Sequence, residues 1–160
     1  MEGIQGTPAG VAAADQHQYL TFTLGHEEYG IEILRVQEIK GYSAITPIPN
    51  MPPHIKGVMN LRGTVVPVVD LRVKFGMCEA DYTRFTVVIV VTVGPRVVGL
   101  VVDAVSDVLS VSPTDMAPPP ELGEGIDTTF LTGMVKSENR LTALLAIDRV
   151  VGFEALAASA

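Results

Sequence analysis

The chain has 160 residues, 48% of them hydrophobic, and a formal net charge of −7. That is enough apolar material for one ordinary domain or for two very small subdomains sharing a core. The negative balance, with no Lys/Arg run and no Trp, argues against a nucleic-acid binder. The single cysteine, Cys78, cannot pair within the chain, which suits a reducing compartment, and no His or basic neighbour in sequence activates it.

Residues 1–17 lack the basic and apolar regions of a signal peptide, and their Gly, Pro, Ala and Thr content predicts a flexible tail. Gln18 to Leu24 alternates with period two and predicts a strand; Gly25 to Glu28 is a turn, and Tyr29 to Ile33 the returning arm of a hairpin. From Ile33 the apolar spacing changes to three, which suggests a short helical turn carrying Glu38 outward, with a continued strand as the competing reading. The Pro-rich stretch 47–53 forms a loop, because proline cannot donate to a ladder. Val58 to Leu61, Arg62-Gly63 and Thr64 to Val69 make a hairpin in which Gly63 can take a positive φ. Asp70 is placed to cap a short helix over 71–75.

A polar segment, 77–84, leads to a second set of elements: Thr86 to Val93, a Gly94-Pro95 turn, Val97 to Val102, another Pro-rich loop, and strands around 130–136 and 141–147. Asp148 is read as the counterpart of Asp70, capping a C-terminal helix through Leu156. The apolar run Val87 to Val91 is far too short to span a membrane, so a soluble, cytoplasmic protein is expected.

The second set repeats the first. Residues 29–39 align without a gap on 98–108, with Gly30 on Gly99 and the acids Glu38 and Asp107 in register. Thr46-Pro47 up to Pro52-Pro53 answers Ser112-Pro113 up to Pro118-Pro119-Pro120, and 65–71 answers 143–149. Internal repetition of this kind predicts a duplicated unit. The class is therefore mainly β with short helices. The expected division is a tail 1–17, a first barrel 18–84 and a second 85–147, with 148–160 a helix packing back on the first barrel and a frayed end.

No catalyst is evident. His17, His26 and His54 lack metal-ligand spacing, and there is no glycine-rich phosphate loop and no GxSxG elbow. Asp70, Asp103, Asp107 and Asp148 follow apolar strands, a placement that can mark a catalytic pair, but duplicated caps and solvated edges explain it more plainly. Arg62, at a hairpin tip, is either a solvated turn residue or a rigidly presented fork for a partner's carboxylate. Val36 and Val105 suit a core, or an apolar groove with an acid two positions on.

Gly30-Ile31-Glu32-Ile33, Val36-Gln37-Glu38-Ile39, Ile55 to Gly63 with its Asn60-Leu61-Arg62-Gly63, Val66 to Leu71, Val97 to Asp103 and Leu131-Thr132-Gly133 together resemble the CheW family, the coupling proteins of bacterial chemotaxis, over roughly 18–153. The resemblance implies two packed SH3-like five-stranded β-barrels, no enzymatic activity and no cofactor or metal. It implies as partners the cytoplasmic tip of a chemoreceptor (a methyl-accepting chemotaxis protein), the regulatory domain of the chemotaxis histidine kinase, and further copies of itself in array rings. The protein would then cluster at receptor arrays on the inner face of the membrane, reaching the membrane only through receptors. The receptor contacts it implies are Val36, Glu38, Gly57, Arg62, Gly99, Val105 and Val108, with Gly57 and Gly99 letting the helical tip approach closely. The kinase contacts are Ile39, Ile45, Thr46, Pro118 and Leu122. Family members can carry a basic residue at 117 and an aromatic at 122, where this chain has Ala117 and Leu122. With no segment able to hold a receiver fold, a free-standing adaptor is expected.

Overall fold

The computed structural model describes residues 17–42, 45–75, 83–117, 130–137 and 140–151. Strands β1 (His17–Leu24) and β2 (Glu27–Glu32) form a hairpin. A 3-10 turn, Ile33–Arg35, leads into β3 (Val36–Gly41), so the turn and the strand read from the sequence are both present, one after the other. Next come β4 (Ile55–Leu61), β5 (Thr64–Asp70) and the one-turn helix α1 (Leu71–Lys74). The second copy supplies β6 (Val87–Val93), β7 (Arg96–Val102), β8 (Ala104–Val111), the two-residue β9 (Met116–Ala117), β10 (Leu131–Ser137) and β11 (Arg140–Leu145). Residues 147–151 form a further helix, α2. His17, expected in the tail, already pairs with Val111.

The strands form two sheets, ordered β9-β10-β11-β2-β1-β8 and β3-β6-β7-β5-β4. The series β8-β1-β2-β11-β10 runs in the same order as β3-β6-β7-β5-β4 once repeat partners are exchanged, and each has a parallel pair in the same place, β2 with β11 and β7 with β5. Even the irregularities are duplicated: β3 bulges between Val36 and Glu38, and β8 between Val105 and Asp107, at repeat-equivalent positions. The architecture is that of two packed SH3-like units, but a boundary at 84/85 does not separate them. β1 and β2 join the sheet of β8 to β11, while β6 and β7 join that of β3 to β5. The units exchange hairpins because the chain leaves its sheet after β2 and again after β7.

Burial explains why several strands read as unbroken apolar runs rather than alternations. In β6, Ile89, Val91 and Val93 face a large core shared by both sheets, together with Leu20, Phe22, Leu24, Ile31, Val98, Leu100 and Val102. The intervening Val88 and Val90 fill the interior of the five-stranded sheet with Met59, Leu61, Val66, Val68 and Val101. Tyr19, Val111, Val135 and Leu144 do the same for the six-stranded sheet. Val150 and Val151 carry α2 into the shared core.

The parallel pairings also correct the repeat register. Val68 stands opposite Gly99, and Leu144 opposite Gly30. Since Gly30 and Gly99 are equivalent, Val68 corresponds to Leu144, and Asp70 to Ala146 rather than to Asp148. Asp70 does cap α1, its carboxylate accepting from the Arg72 amide. The first turn of α2 closes instead on the carbonyl of Ala146, which accepts from the amides of Arg149 and Val150.

Candidate protein-docking surface

Strand β3 is an edge of its sheet, and the β4–β5 hairpin ends in a tight turn. Arg62 and Gly63 both have positive φ, 51° and 86°, and Asn60 Oδ1 accepts from the Gly63 amide at 2.8 Å. A left-handed conformation is uncommon for an arginine and suits a two-residue hairpin loop. Held this way, the Arg62 guanidinium meets Glu38 on β3. The sequence offered a solvated turn residue or a fork for another protein's carboxylate, whereas a carboxylate partner lies in the same chain. The hydrogen bond from Arg62 holds the Glu38 carboxyl below its ordinary value, and the same bond raises the pKa of Arg62. Beside the pair, Gln37, Leu61, Arg62, Thr64, Val66 and Val97 line a cleft of about 260 Å³. The cleft combines apolar Leu61, Val66 and Val97 with polar Gln37, Arg62 and Thr64, a mixture that suits contact with protein.

Val36 and Val105 are half-buried and pack against the shared core. Val108, on the edge strand β8 of the other sheet, is 46% exposed. Its repeat equivalent, Ile39, is 44% exposed. Asp107 aligns on Glu38 but is used differently: its backbone bonds the buried Thr21 hydroxyl in both directions and its carboxylate accepts from the Val108 amide.

Gly57 and Gly99 do not offer a partner close approach, because both are buried. A Cβ at Gly57, where φ is +143°, would lie 2.0 Å from the Thr46 carbonyl oxygen, and one at Gly99 would lie 2.7 Å from Val88 Cγ1. The chain itself takes the space that each glycine frees. Thr46 is exposed and forms a backbone bridge to Val58, donating and accepting at 2.8 and 2.9 Å. Ile45 packs against the interior of the five-stranded sheet. Pro118 and Leu122 lie outside the described residues.

Among the described residues, two further ion-pair systems escaped the sequence. Arg72 is 1% exposed and lies between two carboxylates. Its Nε and Nη2 donate to Asp70 at 3.3 and 3.2 Å, and its Nη1 to Asp103 Oδ1 at 3.0 Å. Asp103 Oδ2 also accepts from the Gly25 amide at 2.7 Å, so the cluster ties α1 to the β7–β8 junction and to the β1–β2 turn. The signal was an arginine two places after a capping aspartate in an otherwise apolar run. The second system joins Arg35 to Asp148 through two bonds of 3.0 Å, and no spacing in the sequence could have shown it. Among the described residues, no group of three or more His, Cys, Asp or Glu could hold a metal ion, and no helix is long and apolar enough to cross a membrane.

The family model for the CheW-like domain matches residues 18–154. The chain belongs to the CheW family. It is 50% identical over 140 residues to the chemotaxis protein CheW of Klebsiella aerogenes, covering 88% of this chain and 84% of that one. It is 41% identical over 133 residues to CheW of Rhizobium meliloti, covering 83% and 86%. Among solved structures it is similar to the scaffolding protein TtCheW from Thermoanaerobacter tengcongensis, with a TM-score of 0.79, 32% identity and coverage of 85% and 88%. Membership places the chain among chemotaxis coupling and scaffold proteins.

Proposed function

We propose that this CheW-family protein joins the cytoplasmic tip of a chemoreceptor to the regulatory domain of the chemotaxis histidine kinase, with no catalysis of its own. The observation that carries the reading is the Glu38–Arg62 pair, held at a sheet edge by a hairpin in an uncommon backbone conformation. Strained positions of this kind concentrate where a surface must be presented in one shape. The receptor face comprises Val36, Glu38, Arg62, Val105 and Val108, with Gly57 and Gly99 supporting it from behind. The kinase face comprises Ile39, Ile45 and Thr46, with Pro118 and Leu122 as a second contact that also serves self-association in rings. Holding two partners at once raises the effective concentration of each for the other, so weak contacts suffice. The protein works in the cytoplasm, clustered with receptors at the inner face of the membrane.

The test is co-sedimentation with a receptor cytoplasmic fragment, with and without the kinase regulatory domain, for wild type and Arg62→Glu. The expected result is a ternary assembly from wild type, and loss of receptor binding with kinase binding retained in the variant. Equal receptor binding by Arg62→Glu would move the receptor face elsewhere. A wild-type protein that sediments with neither partner would overturn the coupling reading.

A further inference from the structure

The 3-10 turn Ile33–Arg35 delivers the chain from one sheet to the other, and β3 begins at the next residue, Val36. Val36 pairs with Val91, the bulge follows at once, and pairing resumes only at Glu38 with Val90. The start of β3 is therefore weakly held by its own ladder. Arg35 supplies the missing restraint. Its guanidinium donates to both carboxylate oxygens of Asp148 on α2, and its Nη1 donates also to the Thr92 carbonyl on β6 at 3.2 Å. The Thr92 hydroxyl returns a long bond, 3.5 Å, to the Arg35 carbonyl. A planar fork engaged on three acceptors fixes direction as well as distance. The pair borders an open cleft of about 540 Å³, lined also by Val93, Gly94 and Pro95, so solvent and salt reach it.

We propose that Arg35 and Asp148 are positioning residues for the receptor face, acting through β3. This rests on the coupling reading for its partner, but not for its mechanism. With the fork engaged, α2 holds the start of β3 against β6, so Val36 and Glu38 are presented in one register and Glu38 meets Arg62. With it released, Val36 is left with a single ladder pairing before the bulge, and binding must first restore the edge. The end of the chain that carries α2 thereby acts on a face built by the β3 edge and the β4–β5 hairpin.

The test compares wild type, Asp148→Asn, Arg35→Gln and the double variant by three readouts: affinity for a receptor cytoplasmic fragment, affinity for the kinase regulatory domain, and amide exchange over 36–38. Each single variant is expected to weaken receptor binding by about two- to fivefold, the range a partly exposed ion pair can supply. The double variant should lose no more than Arg35→Gln alone, because Asp148 acts through Arg35. Kinase-domain affinity should be unchanged, and exchange at 36–38 should quicken severalfold. Receptor binding equal to wild type, or an equal loss for both partners in step with a fall in Tm, would overturn the proposal by reducing the pair to a stabilising contact. If wild type binds no receptor fragment, the coupling reading fails, while faster exchange confined to 36–38 in Asp148→Asn still supports the positioning role and unchanged exchange refutes it.

Discussion

The chain crosses between its two sheets at Ile33–Arg35 and at Asp103, and an arginine–aspartate pair holds each crossing with the charges exchanged. At the first, Arg35 stands on the crossing and Asp148 on the helix that follows β11. At the second, Asp103 stands on the crossing and Arg72 on the helix that follows β5. Register makes the exchange explicit: since Val68 corresponds to Leu144, Arg72 corresponds to Asp148, while Asp103 aligns on Leu34, next to Arg35. What separates the two is burial. Side-chain exposure is 31% and 60% for Arg35 and Asp148, against 1% and 26% for Arg72 and Asp103. The same joint is thus built once as a sealed structural element and once as an accessible one. The accessible copy leads into β3, which carries Val36 and Glu38, and the sealed copy into β8, which carries Val105 and Val108.

The comparison breaks most readily at the sealed joint. Arg72→Met leaves the fully buried Asp70 carboxylate without its guanidinium, and a loss of about 3–5 kcal/mol is expected from chemical denaturation. A cost under 1 kcal/mol would mean that the two joints do not differ as their burial implies.

The two halves should also separate at alkaline pH. Tyr29 holds the place of Val98, and burial, aided by nearby Glu27, pushes its pKa from 10.0 to about 12. The folded state then keeps a proton that the unfolded state releases, so stability falls as pH rises from 10 towards 12, by about 2–3 kcal/mol in all. A Tyr29→Phe variant should lose that slope, as read by denaturant midpoints across the range.

The equivalent glycines sharpen the comparison further. Gly99→Ala meets Val88 at 2.7 Å inside the five-stranded sheet, whereas Gly30→Ala meets the tip of Leu144 at 3.1 Å. The first is expected to cost about 1–3 kcal/mol and the second clearly less, by thermal or denaturant unfolding.

The smallest effect belongs to the accessible joint. Asp148→Asn should change global stability by less than about 1 kcal/mol, in contrast to Arg72→Met. The Arg35 hydrogen bond holds the Asp148 carboxyl below its ordinary 3.8, as Arg62 holds Glu38 below 4.5. Both contributions are complete above those ordinary values and are lost as pH falls through the lowered ones. The acid limb of a stability profile should therefore be shallower in Asp148→Asn, and added salt should diminish the difference.

Much of this was legible from residues alone. The β1–β2 and β4–β5 hairpins, the Asp70 cap and the duplicated unit all rest on signals a few residues long: alternation, glycine at a turn, an aspartate before a helix. The family resemblance rested on Asn60-Leu61-Arg62-Gly63 and its neighbours, and the family match bears it out. Legibility ended where partners are distant in sequence. Nothing local could show that Gly57 and Gly99 serve their own chain, that Arg62 answers Glu38, or that the repeat register slips by two at the end of the second copy.

Composition, periodicity and repetition determined that this chain is a duplicated, mainly β protein of the coupling family, because strand faces, turns and caps depend on neighbouring residues. Tertiary structure decided which hairpin joins which sheet, and that Asp148 clamps a crossing instead of capping a helix. It also decided that one arginine–aspartate joint is sealed and the other reachable. Burial and ion pairing between sites some 30 to 110 residues apart follow from how sheets close on a shared core, and that closure leaves no local trace.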